Sequence, residues 1–211
     1  MAKIFGSFKR GVRAAFDPMG RALTRAGVSP DAITVVGTLG VVAASVVFAA
    51  RGQLVAATVV VTLCALLDVL DGAMARARGW STRFGAMLDS VMDRIADGAV
   101  FAALAWWLAT SGDRVLAVVA LVCLVGGQVV SYVKARAESL GFTCDVGIAE
   151  RMERLIIVGI GGLLTGFGVS WGLGAALWLL AVLTVVTAVQ RIVHVRRQEV
   201  EAPAAVRERT Q

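Results

Sequence analysis

The sequence predicts an all-α integral membrane protein, with six transmembrane helices preceded by an N-terminal amphipathic interfacial helix. Three observations carry that expectation. Of the 211 residues, 58% are hydrophobic and 17% charged, against an apolar share of about 45–50% in soluble domains, and mean hydropathy is +0.78. The apolar residues fall in runs of about 18–25, each long enough to cross a hydrocarbon core as a helix. No strand-like alternation competes, and helices satisfy their own backbone groups in lipid.

Residues 1–28 form the juxtamembrane segment. Ile4, Phe5, Phe8, Val12, Ala15 and Phe16 alternate with Lys and Arg at near-helical spacing until Pro18. That pattern fits a helix lying on the inner leaflet. No uninterrupted apolar core follows the charges, so it does not read as a signal peptide. Ser29 suits an N-cap and Pro30 a first helical position. The six spans are expected over 34–50, 54–76, 84–110, 114–138, 152–168 and 171–195, within a transmembrane domain of residues 29–197. Residues 198–211, charged and Ala-rich with Pro203, read as a disordered cytoplasmic tail.

Basic residues set the orientation. They crowd the amino terminus, the 2–3 turn (Arg76, Arg78, Arg83), the 4–5 loop (Lys134, Arg136, Arg151, Arg154) and the carboxyl end, whereas the other side shows only Arg51 and Arg114. Both termini and these loops are therefore expected in the cytoplasm, in a multi-pass protein of the cell (inner) membrane. The net charge of +6 reflects this asymmetry and an attraction to anionic membrane lipid. It does not point to nucleic acid. Cys64, Cys123 and Cys144 lack metal-ligand spacing and read as free thiols. His194, the one histidine, excludes a multi-histidine metal site and argues against a triad hydrolase.

Four carboxylates interrupt two apolar stretches. Asp68 and Asp71 are three apart, and Asp89 and Asp93 four apart, so each pair shares a helix face. The short turn between them makes the two helices antiparallel neighbours and sets all four acids at similar depth. An intramembrane carboxylate costs roughly 2.5–3.5 kcal/mol on insertion scales, so four would cost on the order of 10 kcal/mol. Two bound divalent cations would offset that charge. An all-oxygen set selects hard ions, Mg²⁺ or Mn²⁺, over zinc. A proton or ion pathway is the other common use of such acids, but Arg76 and Arg83 beside the site repel cations and suit a phosphate. Gly72 and Gly85 allow close approach of a ligand or a neighbouring helix, or serve small-residue helix packing.

The pattern Asp68-x2-Asp71-Gly72-x2-Ala75-Arg76-x8-Gly85-x3-Asp89-x3-Asp93 matches, at all eight fixed positions, the signature of the CDP-alcohol phosphatidyltransferases. Beyond it, SYVKARAESLG, AERMERLI and the late VQR resemble the phosphatidylinositol phosphate synthases of actinobacteria, a group within that family. The resemblance implies an Mg-dependent transfer of the phosphatidyl group from CDP-diacylglycerol to an alcohol, with release of CMP. It implies that Asp68, Asp71 and Asp89 hold a first ion, that Asp68, Asp89 and Asp93 hold a second, and that Asp93 is the general base. Gly72, Arg76, Thr82 and the stretch Pro30, Asp31 to Thr34 would contact the CDP moiety. It also suggests a homodimer.

A phosphorylated acceptor needs cations. Lys134, Arg136, Arg151, Arg154 and Arg191 stand on the same side as the acids, and Tyr132 offers a hydroxyl. The same cations would also obey the positive-inside rule and snorkel to lipid phosphates, and Glu138, Glu150 and Glu153 are on hand to pair with them. By resemblance, Lys134, Arg154 and Arg191, then Arg151, would bind inositol phosphate, making myo-inositol 1-phosphate the acceptor. A phosphatidylglycerophosphate synthase using glycerol 3-phosphate would need a similar basic pocket. A divalent-cation transporter is the alternative from another class.

Overall fold

A computed structural model describes residues 17–78 and 82–201, with the side chains of Asp68, Val69, Ala75 and Arg78 left aside. Residues 1–16 of the expected 1–28 segment, the centre of the 2–3 turn at 79–81 and residues 202–211 of the expected 198–211 tail lie outside the described residues, while residues 198–201 of that tail continue the last helix. Among the described residues every regular element is helical: α1 (17–25), α2 (Pro30–Val47), α3 (Leu54–Ala65), α4 (Leu67–Arg78), α5 (Arg83–Thr110), α6 (Arg114–Ser139), α7 (Arg151–Gly166) and α8 (Gly172–Glu201). A single 3-10 turn, Ala49–Arg51, follows α2. The chain divides into two compact units at the junction of Ala103 and Leu104, within α5.

In the first unit α2 packs against α3 and α4. Its buried face is small and weakly polar: Thr34, Gly37, Thr38, Val41, Ala44 and Ser45 repeat every three or four residues. Small side chains let helix backbones approach where lipid supplies no hydrophobic drive between them. Ser29 precedes α2 in extended conformation and Pro30 is its first residue, as the sequence predicts, although the Ser29 side chain makes no capping bond. The expected second span is interrupted for one residue. Leu66 separates α3 from α4 while its N–H still donates to Thr62 O at 3.0 Å. Gly37 of α2 sits against this junction, where an added Cβ would lie 3.2 Å from Leu67 Cβ and 3.3 Å from Cys64 O.

In the second unit α8 packs against both α6 and α7. Its buried stripe runs Leu173, Ala176, Leu177, Leu180, Ala181, Thr184, Thr187 and Arg191, the 3.6-residue period of one helix face. Contact with α7 is close: a Cβ on Gly161 would stand 2.4 Å from Ala176 Cβ. Alanine at Gly161 would force the two helices apart.

Among the described residues four helices are long and apolar enough to cross a membrane: Pro30–Arg51, Leu54–Met74, Arg114–Ser139 and Gly172–Glu201. The other two expected spans fall short of that measure for different reasons. α5 has 28 residues, but Asp89, Asp93, Arg94 and Asp97 lie along its first fifteen. α7 has 16 residues, about 24 Å at helical rise, against a hydrocarbon core of about 30 Å.

Candidate active site

The first unit gathers the acidic and donor-side residues. α4 carries Asp68 and Asp71 one turn apart, and α5 carries Asp89 and Asp93 one turn apart. Thr34 of α2 donates its hydroxyl proton to Asp71 Oδ2, which ties the opening of α2 to the acid face of α4. Asp31, one turn earlier on α2, points its Oδ1 at Gly85; a Cβ there would be 3.0 Å from that oxygen and 2.9 Å from Thr82 Oγ1. Gly85 is thus the close-approach glycine that its place in the motif suggests. Thr82 precedes α5 and its Oγ1 accepts from Gly85 N–H at 2.8 Å, a cap on the helix that bears Asp89 and Asp93. Gly72 is different. Among the described residues a Cβ there meets Arg76 Nη1 alone, at 3.5 Å, an ordinary contact within its own helix.

Arg76 projects from α4 and donates through Nη2 to Asp17 Oδ1 at 3.0 Å, with both side chains well exposed. α1 crosses α4 at Gly20, where a Cβ would fall 2.8 Å from Ala73 Cβ. Sequence reasoning missed Asp17. Asp93, half-buried, accepts from Arg94 Nη2 at 3.2 Å, whereas Asp89 is exposed.

The donor chemistry fits a hard divalent cation: the acids are carboxylates on two helices, with no thiol or imidazole among them. Among the described residues no three of His, Cys, Asp and Glu stand close enough to hold an ion. Each expected triplet of ligands includes Asp68, whose side chain is not among those described.

The second unit gathers the basic residues around the segment between α6 and α7. Arg154 is 1% exposed. Its Nη1 donates to Ala149 O at 3.2 Å, and its Nε would lie 3.1 Å from a Cβ on Gly127, so the absence of a side chain at that position makes room for the guanidinium. Arg191 is 3% exposed. Its Nε donates to Val146 O at 2.8 Å, its Nη1 to Val130 O at 2.7 Å and its Nη2 to Glu150 Oε1 at 3.3 Å. Lys134 donates to Asp145 Oδ1 at 2.6 Å and lies 3.7 Å from Glu138. The hydrogen bond and charge of Lys134 hold the Asp145 carboxyl below its ordinary value of 3.8. Burial pushes the Cys144 thiol up, partly offset by the charges of Arg191 and Lys134.

Lys134, Arg154 and Arg191 are therefore brought to one segment, and Arg151 opens α7 beside it. Arg136 is exposed and bonds Ser139 Oγ at 3.4 Å. Tyr132 is 68% exposed. Two residues from Lys134 and from buried Val130 on α6, it occupies the opposite helix face and does not join the cluster. The pairing of Glu138 and Glu150 with these cations agrees with their charge. Asp145 and Thr187, missed in the sequence, are the further residues that hold the segment.

Acids in the signature spacing, an exposed arginine beside them and helices of membrane length describe one kind of catalyst. Residues 27–190 match the family model described as CDP-alcohol phosphatidyltransferase. The chain belongs to that family, and is a multi-pass membrane enzyme of phospholipid synthesis. Among curated proteins it is 51% identical, over 85% of its own length and 83% of the relative's, to a phosphatidylinositol phosphate synthase of Mycobacteroides abscessus. It is 50% identical to that of Mycobacterium tuberculosis, over 85% of this chain and 87% of the relative. Crystal structures of the M. tuberculosis phosphatidylinositol phosphate synthase are similar too. The one with CDP-DAG bound has a TM-score of 0.82 at 48% identity, covering 85% of this chain and 92% of that one. The one in complex with manganese and citrate has a TM-score of 0.83 at 46% identity, covering 90% and 91%.

Proposed function

We propose that this enzyme transfers the phosphatidyl group of CDP-diacylglycerol to the hydroxyl of an inositol phosphate, giving phosphatidylinositol phosphate and CMP. The observation that carries the reading is identity of about half the residues, along most of the chain, with relatives named phosphatidylinositol phosphate synthase. Two buried guanidiniums, Arg154 and Arg191, add support, because a dianionic acceptor requires fixed positive charge.

Asp68, Asp71 and Asp89 would hold one divalent ion, and Asp68, Asp89 and Asp93 a second, Mg²⁺ or Mn²⁺. Bound there, such a pair would supply Lewis-acid stabilisation to the attacking and leaving oxygens. Asp93 takes the proton of the acceptor hydroxyl, for which it must come within hydrogen-bond reach. Arg76 binds a diphosphate oxygen after exchanging it for the Asp17 carboxylate, a weak exposed pair. Pro30, Asp31, Thr34, Gly72 and Thr82 line the place of the cytidine nucleotide. Thr34 orients Asp71 through its hydrogen bond, and Gly72, beside Arg76, leaves room for the ligand's close approach. Lys134, Arg151, Arg154 and Arg191 receive the acceptor phosphate, with Arg136 and Tyr132 at its margin. The acyl chains of the donor stay in the bilayer. All six helices expected to span do so, with both termini and the acids on the cytoplasmic side, and the enzyme works as a homodimer.

The test is CMP release by purified protein given CDP-diacylglycerol, Mg²⁺ and one acceptor at a time. Turnover with myo-inositol 1-phosphate is expected. Turnover with glycerol 3-phosphate alone overturns the reading.

A further inference from the structure

The segment that joins α6 to α7 is not helical from residue 142 to 150, yet Cys144 and Ala149 within it are completely buried. Its backbone donors and acceptors therefore need partners inside the protein. Thr187 of α8 supplies two of them. The N–H groups of Ile148 and Ala149 both donate to Thr187 Oγ1, at 3.2 and 3.0 Å. Thr187 is 0% exposed. One helical turn later Arg191 takes the carbonyl of Val146. Gly147, between these anchors, has φ +132°, and a Cβ there would fall 2.6 Å from Thr187 Cγ2. The chain thus passes over Thr187 at a point where a side chain of its own would collide with it. Glu150 and Arg151 follow at once, and Arg154 donates back to Ala149 O.

We propose that Thr187 is a positioning residue for acceptor recognition: its hydroxyl oxygen fixes residues 146–150 against α8, and so sets where α7 begins and where Arg151 and Arg154 present their charges. The inference rests on the reading of these arginines as the acceptor site. Thr187 itself touches no substrate. A threonine in a helix ordinarily satisfies its hydroxyl within its own helix, as Thr184 does toward Leu180 O and Ala181 O. Thr187 instead turns its oxygen to two successive amides of another segment, a use that only a hydroxyl at that place can fill.

Three variants test this in the full-length protein. Thr187→Val keeps the shape and removes the acceptor oxygen, Thr187→Ser keeps the oxygen, and Gly147→Ala attacks the same contact from the loop side. The first readout needs no substrate. Alkylation of Cys144 by a maleimide, followed by peptide mass spectrometry, should speed up about tenfold in Thr187→Val and Gly147→Ala and stay near wild type in Thr187→Ser. The second readout is kinetic. The acceptor KM should rise about tenfold in Thr187→Val, the CDP-diacylglycerol KM should stay within about twofold, and Thr187→Ser should restore both. Wild-type Cys144 protection and acceptor KM in Thr187→Val would overturn the proposal, as would a Thr187→Ser defect equal to that of Thr187→Val. Equal rises in both KM values would also overturn it, by showing general damage. A wild-type protein that turns over only another phosphorylated acceptor would refute the inositol reading, and the KM comparison would then be made with that acceptor.

Discussion

The acidic and basic clusters are built on opposite plans. On the acidic side, side chains brace side chains: Thr34 to Asp71, Arg76 to Asp17, Arg94 to Asp93. The Arg76–Asp17 pair stays 45% and 38% exposed. On the basic side, Arg154 and Arg191 are nearly inaccessible and are held by main-chain carbonyls of residues 130, 146 and 149. A side-chain partner is released by a change of rotamer, whereas a carbonyl partner moves only with the fold. The acidic residues can thus exchange their contacts for a ligand's, as can Lys134 with its side-chain partner Asp145, while Arg154 and Arg191 are preorganised.

The largest effect that separates the two plans is chemical. Asp93→Asn should lower kcat by about 10²–10⁴ while leaving donor binding within a few-fold, measured by CMP release and donor titration. Near-normal turnover would remove Asp93 as the base. Next comes Arg191→Ala. It strands the carbonyl of Val146 at a cost of about 1–3 kcal/mol, takes Glu150 from its partner, and removes a second bond from Val130 O, which helix α6 already satisfies. Thermal unfolding should therefore fall by several degrees, and the acceptor KM should rise more than the donor's. Gly127→Ala should act in the same direction more mildly, by about 1–3 kcal/mol, because its Cβ crowds the Arg154 guanidinium.

Arg76→Lys makes the contrast from the other side. It should leave the melting temperature unchanged, since the exposed pair with Asp17 contributes about 0–1 kcal/mol. The donor KM should rise, because lysine lacks the bidentate fork. A large loss of stability would show that the acidic side is as rigidly built as the basic one. The smallest effect belongs to Asp145, whose folded carboxyl titrates below its ordinary 3.8. Its pairing with Lys134 is complete above that value and fades as pH falls through the lower folded value. Asp145→Asn should therefore leave the shape of the acceptor KM profile between about pH 6 and 8 unaltered.

The same contrast decides how much was legible beforehand. The acids could be read because helical spacing of three and four converts directly into a shared face, and because charge in an apolar run demands a reason. Gly85 came with the motif and Asp31 and Thr34 with the family resemblance; the structure joins Thr34 to α4 and Asp31 to the start of α5. The basic cluster was readable as composition, not as arrangement. Nothing local announces that Thr187 serves Ile148 across 39 residues, or that Arg191 reaches Val130 across 61. Asp17 and Arg76, 59 residues apart, were invisible for the same reason. The break at Leu66 was not readable either, since Cys64-Ala65-Leu66-Leu67 is a good helical sequence, and α2 meets the chain there only in three dimensions. That Tyr132 and Lys134 stand on different faces of α6 follows only from the register of that helix.

α8 presents one unbroken row of inward positions, first apolar from Leu173 to Ala181, then polar at Thr184, Thr187 and Arg191. Farther along the same helix Gln198 grips Thr143 through its main-chain N–H and C=O. Because each residue advances the helix by about 100°, inserting or deleting one amino acid between Leu180 and Thr187 would swing every later anchor off its mark at once. Natural or engineered length variation should therefore be absent from that stretch of helix.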